Sequence, residues 1–152
     1  MKKIILFLMV AACSFKPIFS GDATDIYVAP ISGINGIELR NSLNSQFGGM
    51  HNQNAKYSLN VNLQEPVTKY KALERAGDAA WQEVKLKASY VLKQGDKEIA
   101  RGDEFAIESY TFVRYLVAAN ASYNNAVINA IHELSNKISM RAIAEIQKME
   151  QQ

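Results

Sequence analysis

Three basic residues lie where two predicted strands would bring them to one surface. Lys85 and Lys87 occupy alternate positions of one strand, so they share a face about 7 Å apart. Arg101 lies on the strand that returns beside it. Such a cluster could hold a phosphorylated or otherwise anionic ligand. Lysines on an open strand face also serve simply to discourage edge pairing, and the sequence leaves both interpretations open.

The single cysteine of the chain, Cys13, follows residues that predict its covalent modification. Two lysines and an apolar run over residues 4–10 have the layout of a signal peptide, too short to span a bilayer. The sequence VAAC at 10–13 resembles a bacterial lipobox, in which the thiol is the nucleophile for diacylglycerol transfer. We expect residues 1–12 to be cleaved and Cys13 to carry S-diacylglycerol and N-palmitoyl groups, since stable anchoring needs more than one chain. The alternative is an ordinary secretory signal with an incidental cysteine.

No group of residues has the spacing of a catalytic or metal site, so we expect a protein that is not an enzyme and needs no cofactor. His51 and His132 each lack a second histidine or cysteine at metal-ligand spacing. Asp103 and Glu104 are adjacent on a predicted strand, so their carboxylates should point to opposite faces rather than form an acid–base pair. The glycine pair at 48–49 lacks the pattern of a phosphate-binding loop.

The composition indicates one ordinary globular domain. The chain has 152 residues, of which 48% are hydrophobic and 21% charged. This length suits a single core, which we assign to residues 25–150, after a lipidated tether over residues 13–24. Removal of the signal peptide with its two lysines brings the net charge of +2 to about zero. A neutral domain is poorly suited to non-specific nucleic-acid binding, which needs a basic field.

Alternating apolar and polar residues predict a sheet with one buried face. The alternation runs through residues 57–64 and again through 84–92. A turn at 94–97 then leads to a return strand over 99–110, in which Gly102 is expected to form a bulge.

Two further segments complete the predicted sheet. Residues 26–31 are rich in β-formers and predict a short strand. The segment 65–82 is too long for a structureless loop in a compact domain. Protruding strands at its ends, with a tip near 76–80, are favoured over a plain loop.

Two helices are predicted. The first covers about residues 36–47, with Asn35 and Glu38 as a reciprocal N-terminal cap. The second covers about 119–148, where apolar residues recur at spacings of three and four. The order β-α-β-β-β-α predicts an α+β fold, a two-layer sandwich with an approximately four-stranded mixed or antiparallel sheet and two helices on one face.

The order of several segments carries a resemblance to a known family. These segments are SFKPIFSG at 14–21 after the lipobox cysteine, IELRNSL at 37–43, YSLNV at 57–61, and Ser109-Tyr110 before Tyr115 and the long helix. In them the chain resembles the alphaproteobacterial form of LptE, the lipopolysaccharide-assembly lipoprotein. Ser14 departs from the family's usual glycine, and Gln82-Glu83-Val84 stands where an arginine is common.

The resemblance implies a domain tethered to the inner leaflet of the outer membrane and facing the periplasm. It would plug and help to assemble the LptD β-barrel and assist insertion of lipopolysaccharide into the outer leaflet, with no nucleic-acid partner. In that setting Lys85, Lys87 and Arg101 would contact the phosphates of lipid A. Two alternatives remain, an auxiliary lipoprotein of an ABC-type lipid transport system and a periplasmic structural or interaction lipoprotein.

Overall fold

The computed structural model describes residues 25–48, 52–73, 79–113 and 115–151. The predicted signal peptide, Cys13, the tether and His51 lie outside these residues. In chain order the elements are β1 (Ile26–Val28), α1 (Ile34–Gln46), β2 (Tyr57–Leu63), β3 (Val67–Leu73), β4 (Ala79–Gln94), β5 (Lys97–Val113) and α2 (Leu116–Glu150). The predicted α+β fold is confirmed, but the sheet has five strands rather than about four, and the order is β-α-β-β-β-β-α.

β4 is the central strand of the sheet. β5 pairs with it in the antiparallel sense along its whole length, and β2 and β3 lie end to end along its other side. β1 extends the sheet beside β2 as a parallel neighbour. The additional strand is β3, which confirms that the 65–82 segment is extended at its ends. β4 already begins at Ala79, inside the tip expected near 76–80, and residues 74–78 lie outside the described ranges.

The irregularity in β5 is at Ile99, so the bulge predicted at Gly102 was wrong. The pairing slips by one residue between Leu92 and Lys93, which leaves Ile99 as the extra residue. Gly102 keeps a regular pairing with Tyr90. A Cβ atom at Gly102 would lie 2.8 Å from Tyr90 Oη. Glycine at this position therefore makes room for a cross-strand ring instead of interrupting the strand.

α1 begins earlier than predicted and without the predicted cap. Its first residue is Ile34, and the N-cap position is Gly33, with φ 84° and no side-chain cap hydrogen bond. Asn35 and Glu38 therefore lie inside the helix, because the positive φ of Gly33 already turns the chain into its first turn. At the other end Gly48 follows the helix with φ 88°, the backbone conformation in which glycine commonly ends a helix.

α2 supplies the longest apolar surface of the domain. It has 35 residues, three more at its start and two more at its end than predicted, and a length of about 52 Å. It packs on β4 and β5. The predicted apolar stripe is confirmed, with these members buried: Val127, Ile131, Leu134, Ile138, Ala142 and Ile146. Neither described helix combines the length and the apolarity that a membrane span requires.

The two helices run side by side in the parallel sense. Ser42 Oγ lies 3.3 Å from His132 Nδ1, and Gln46 Nε2 donates to Asn136 Oδ1 at 2.6 Å. From the first contact to the second, the residue number rises by four in each helix, so the two helices run in the same direction. His132 is thus a helix-flank residue with a local polar partner.

Candidate functional site

The helices cover only one face of the sheet. Even-numbered residues of β4 point towards α2, and Leu86 and Leu92 among them are fully buried. The odd-numbered residues of β4 lie on the opposite face, where Lys87 is exposed. That opposite face is open within the part of the chain that the structure describes.

The open face is apolar at its centre. Four large apolar side chains on it are 41% to 55% exposed, namely Val67, Trp81, Phe105 and Ile107. Lys85 pairs in register with Val67 on one side and Ile107 on the other, which makes a row across three strands. Lys87 pairs with Phe105 in the next row on that face. We call Val67, Lys85, Lys87, Phe105 and Ile107 the open-face patch, which joins two cationic groups to an apolar surface; Trp81 lies four residues away from Lys85 on the same face.

Phe105 brings together two lysines, one of which the sequence did not suggest. The Lys85 ammonium lies 4.5 Å from the centroid of the Phe105 ring, at cation–π distance. The Lys137 ammonium, on α2, lies 5.4 Å from the same centroid and donates to the Phe105 carbonyl at 2.9 Å. The place of Phe105 on the open face could have been predicted from its odd-numbered position in β5. Lys137 could not, because only the packing of α2 beside β5 brings it there.

Arg101 shares the open face but not the patch. It lies four residues along β5 from Phe105, about 13 Å away. Its guanidinium donates to both carboxylate oxygens of Glu98, at 2.6 and 2.8 Å. The extra residue Ile99 makes this possible, because it puts positions 98 and 101 on the same face. The structure thus brings Lys85 and Lys87 together and leaves Arg101 in an exposed ion pair.

The charge of Glu98 offsets that of Arg101. The hydrogen bonds from Arg101 lower the pKa of the Glu98 carboxyl, so it stays ionised at neutral pH. The pair therefore adds no net positive charge to the open face.

Replacing Glu98 by glutamine should strengthen binding to anionic phosphatidylglycerol vesicles about fivefold, since the charge of Arg101 is then no longer offset and attracts such a surface. Co-sedimentation with the vesicles at low salt measures the change. Glu145→Gln removes the same charge from α2, and we expect a smaller gain from it. Equal gains for the two variants would contradict a role for the position of Arg101.

The adjacent carboxylates point to opposite faces, as predicted. Glu104 points towards the helices and forms an ion pair with Arg141 of α2, with its side chain only 11% exposed. Asp103 is exposed on the other face. Nearby, burial raises the pKa of the Tyr90 hydroxyl. In the described ranges, no group of three or more His, Cys, Asp or Glu side chains could hold a metal ion.

A concave surface lies at one end of the domain, where α1 begins, β2 ends and α2 passes. It is a groove of about 710 Å³, which we call the end groove. Its apolar lining includes Leu63, Val127 and Ile131, and Glu38 and Glu65 also line it. No lysine, arginine or histidine is among its described lining residues. Sequence reasoning missed this groove, because three separate segments form it.

No protein-family model and no curated protein sequence matches the chain. Solved structures do match it. A candidate lipoprotein from Caulobacter crescentus CB15 is 18% identical, with a TM-score of 0.68, over 87% of this chain and 96% of that one. The rare lipoprotein B from Shewanella oneidensis is 11% identical, with a TM-score of 0.61, over 84% of this chain and 98% of that one. A minor lipoprotein from Acinetobacter baumannii is 13% identical, with a TM-score of 0.58, over 80% of this chain and 92% of that one. The described domain therefore has a fold that it shares with bacterial lipoproteins.

Proposed function

We propose that this chain is a lipid-anchored protein of the outer membrane that faces the periplasm. There it plugs and helps to assemble the LptD β-barrel, and it assists insertion of lipopolysaccharide into the outer leaflet. The observation that carries the proposal is the open-face patch, an exposed apolar surface with two lysines on the face of the sheet that the helices leave open. Lysines beside exposed apolar groups suit a ligand that is both anionic and hydrocarbon-rich.

The chemistry of lipid A matches the patch part by part. Its phosphates can bind the ammonium groups of Lys85 and Lys87. Its acyl chains can contact the Phe105 ring and Ile107, which are exposed to solvent in the isolated chain. Binding and release of this kind need no covalent step, and we propose no enzymatic activity.

The remainder of the open face suits the polar interior of a β-barrel. β2 presents Ser58, Asn60 and Asn62 there, opposite its buried residues Tyr57 and Leu59. Lumens of outer-membrane barrels are polar, so amide and hydroxyl groups can exchange hydrogen bonds with water for hydrogen bonds with the lumen.

The membrane anchor in the proposal is Cys13. Two observations support it: the lipobox-like sequence VAAC, and the fold shared with solved lipoproteins. Ser14 rather than aspartate after the cysteine is compatible with the outer membrane.

Neutralising the two patch lysines together, Lys85→Gln with Lys87→Gln, should weaken lipopolysaccharide binding about 30-fold at low salt. Two surface charges contribute about 2 kcal/mol in total. Titration of the purified protein with labelled lipopolysaccharide gives the affinity. The control Lys97→Gln with Lys148→Gln removes the same charge from the first residue of β5 and from α2, and we expect a much smaller loss. Unchanged binding after neutralising Lys85, Lys87 and Arg101 would remove the lipid A assignment.

The barrel partner is tested by purification from detergent-solubilised outer membranes. We expect a tagged full-length protein to bring down a large β-barrel in stoichiometric amount. Recovery of an inner-membrane ATPase complex instead would support a lipid-transport auxiliary role. Recovery without any barrel, together with normal surface exposure of lipopolysaccharide on depletion, would overturn the proposal.

A further inference from the structure

The end groove has a lining that selects against anions. Its apolar residues are flanked by Glu38 and Glu65, with no basic residue among the described lining residues. Within the described part of the chain, neither of these carboxylates is in an ion pair. A phosphate would be repelled there, whereas an apolar group that carries a positive charge would be attracted.

Large apolar side chains stand exposed at the mouth of the groove. Ile34, on the first turn of α1, is 87% exposed, and Ile128 on α2 is 42% exposed. Val117 lies on the same side of α2 as Ile128, since eleven residues make three helical turns, and it is 84% exposed. Exposed apolar residues thus lie both at the groove and at the start of α2, with Asn124 between them.

One segment of this chain has the matching composition. Residues 14–20, with the sequence SFKPIFS, contain four apolar residues and one basic residue, Lys16, and no acidic residue. Pro17 fixes one backbone angle and favours an extended segment. Lys16 would complement the two carboxylates while its neighbours cover the apolar lining.

The length of this segment matches the distance it has to cover. The described chain begins at Asp25, whose carbonyl accepts from the Tyr57 amide at the start of β2. The groove lies at the other end of β2, beside Leu63, about 20 Å away by strand rise. Phe19 is six residues before Asp25 and so can reach about 20 Å, and Lys16 can reach about 30 Å.

We propose that residues 14–20 bind in the end groove, with Lys16 beside Glu38 and Glu65. Cys13 is then held within about 10 Å of the groove, because it is only three positions before Lys16 in the chain. The anchor would leave the domain where Ile37, Leu116 and Val117 are exposed. The apolar end of the domain, and not the end at Asp25, then faces the membrane.

A cysteine pair tests the docked position in the full-length, lipidated protein in detergent. We expect Ile18→Cys with Ile128→Cys to form an intramolecular disulfide in most molecules on mild oxidation. The matched pair Ile18→Cys with Met140→Cys places the second thiol at an exposed site on α2, twelve residues or about 18 Å further along, and should stay reduced. Equal yields for the two pairs, or no disulfide in either, would overturn the proposal.

A charge exchange tests the role of Lys16. Lys16→Glu in the 18–128 pair should lower the disulfide yield about fivefold, and adding Glu38→Lys with Glu65→Lys should restore it. If neither change alters the disulfide yield, the proposed charge pairing is wrong. A disulfide between two copies of the chain would assign the groove to a second molecule. A lower disulfide yield when lipopolysaccharide is added before oxidation assigns the groove to lipid. Circular dichroism confirms that each variant is folded, and mass spectrometry reads acylation of Cys13 separately, so failure here leaves the proposed function standing.

Discussion

Replacing Leu134 by alanine should lower the free energy of unfolding by about 2–5 kcal/mol. Leu134 is fully buried in the middle of α2 and belongs to the core cluster that joins both helices to the sheet. The substitution removes three carbon atoms and leaves a cavity that the surrounding residues fill only partly. Urea denaturation followed by circular dichroism measures the loss as a lower midpoint with an unchanged slope.

Met140→Ala is the matched control for that variant. Met140 lies on the same helix six residues further along, but it is 68% exposed. We expect its truncation to change stability by no more than about 0.5 kcal/mol. If both variants lost equal stability, the assignment of Leu134 to the interior face of α2 would be wrong.

Replacing Gly102 by valine should destabilise the fold by about 1–3 kcal/mol, although valine is a far better strand former than glycine. The reason is the ring of Tyr90, which lies directly across from Gly102 on the buried face of the sheet. A Cβ atom would approach Tyr90 Oη to 2.8 Å and its Cζ to 2.9 Å. Either the ring or the strand must move, and Tyr90 is only 5% exposed.

Two further variants isolate the steric cause. Ser109→Val places the same side chain on the open face of β5, where it should be neutral or slightly stabilising. Tyr90→Leu with Gly102→Val should be more stable than the sum of the single effects predicts, because leucine vacates the space that valine needs. Strict additivity in this double-mutant cycle would show that ring contact is not the cause.

The buried parts of the fold were predictable because an element with one buried face repeats apolar residues at a regular spacing along the sequence. The alternation over β2 and β4 and the apolar stripe of α2 each follow from one face meeting the core. The N-terminus of α1 was not predictable in this way. The helix begins after Gly33, which has a positive φ, whereas a side-chain cap was expected. The bulge at Ile99 also escaped prediction, since Gly102 was the obvious irregular residue and its real role depends on a partner in another strand.

The candidate site was predictable to the extent that it lies on one strand. Lys85 and Lys87 share a face because the strand period requires it. Arg101 was grouped with them although its charge is offset by Glu98, and only the phase shift at Ile99 makes that pair possible. Lys137 and the end groove arise from packing between distant segments. Anchoring at Cys13 stays a prediction from the motif.

Lys137 also bears on how the protein behaves when it is concentrated. Within the described chain β5 pairs with β4 alone, so its other edge, 17 residues long, carries unpaired backbone groups. Such an edge is a template for strand addition and aggregation. The Lys137 ammonium donates a hydrogen bond to the Phe105 carbonyl near the middle of that edge. α2 therefore also protects this edge, because an incoming strand would have to displace Lys137 before it could pair with β5.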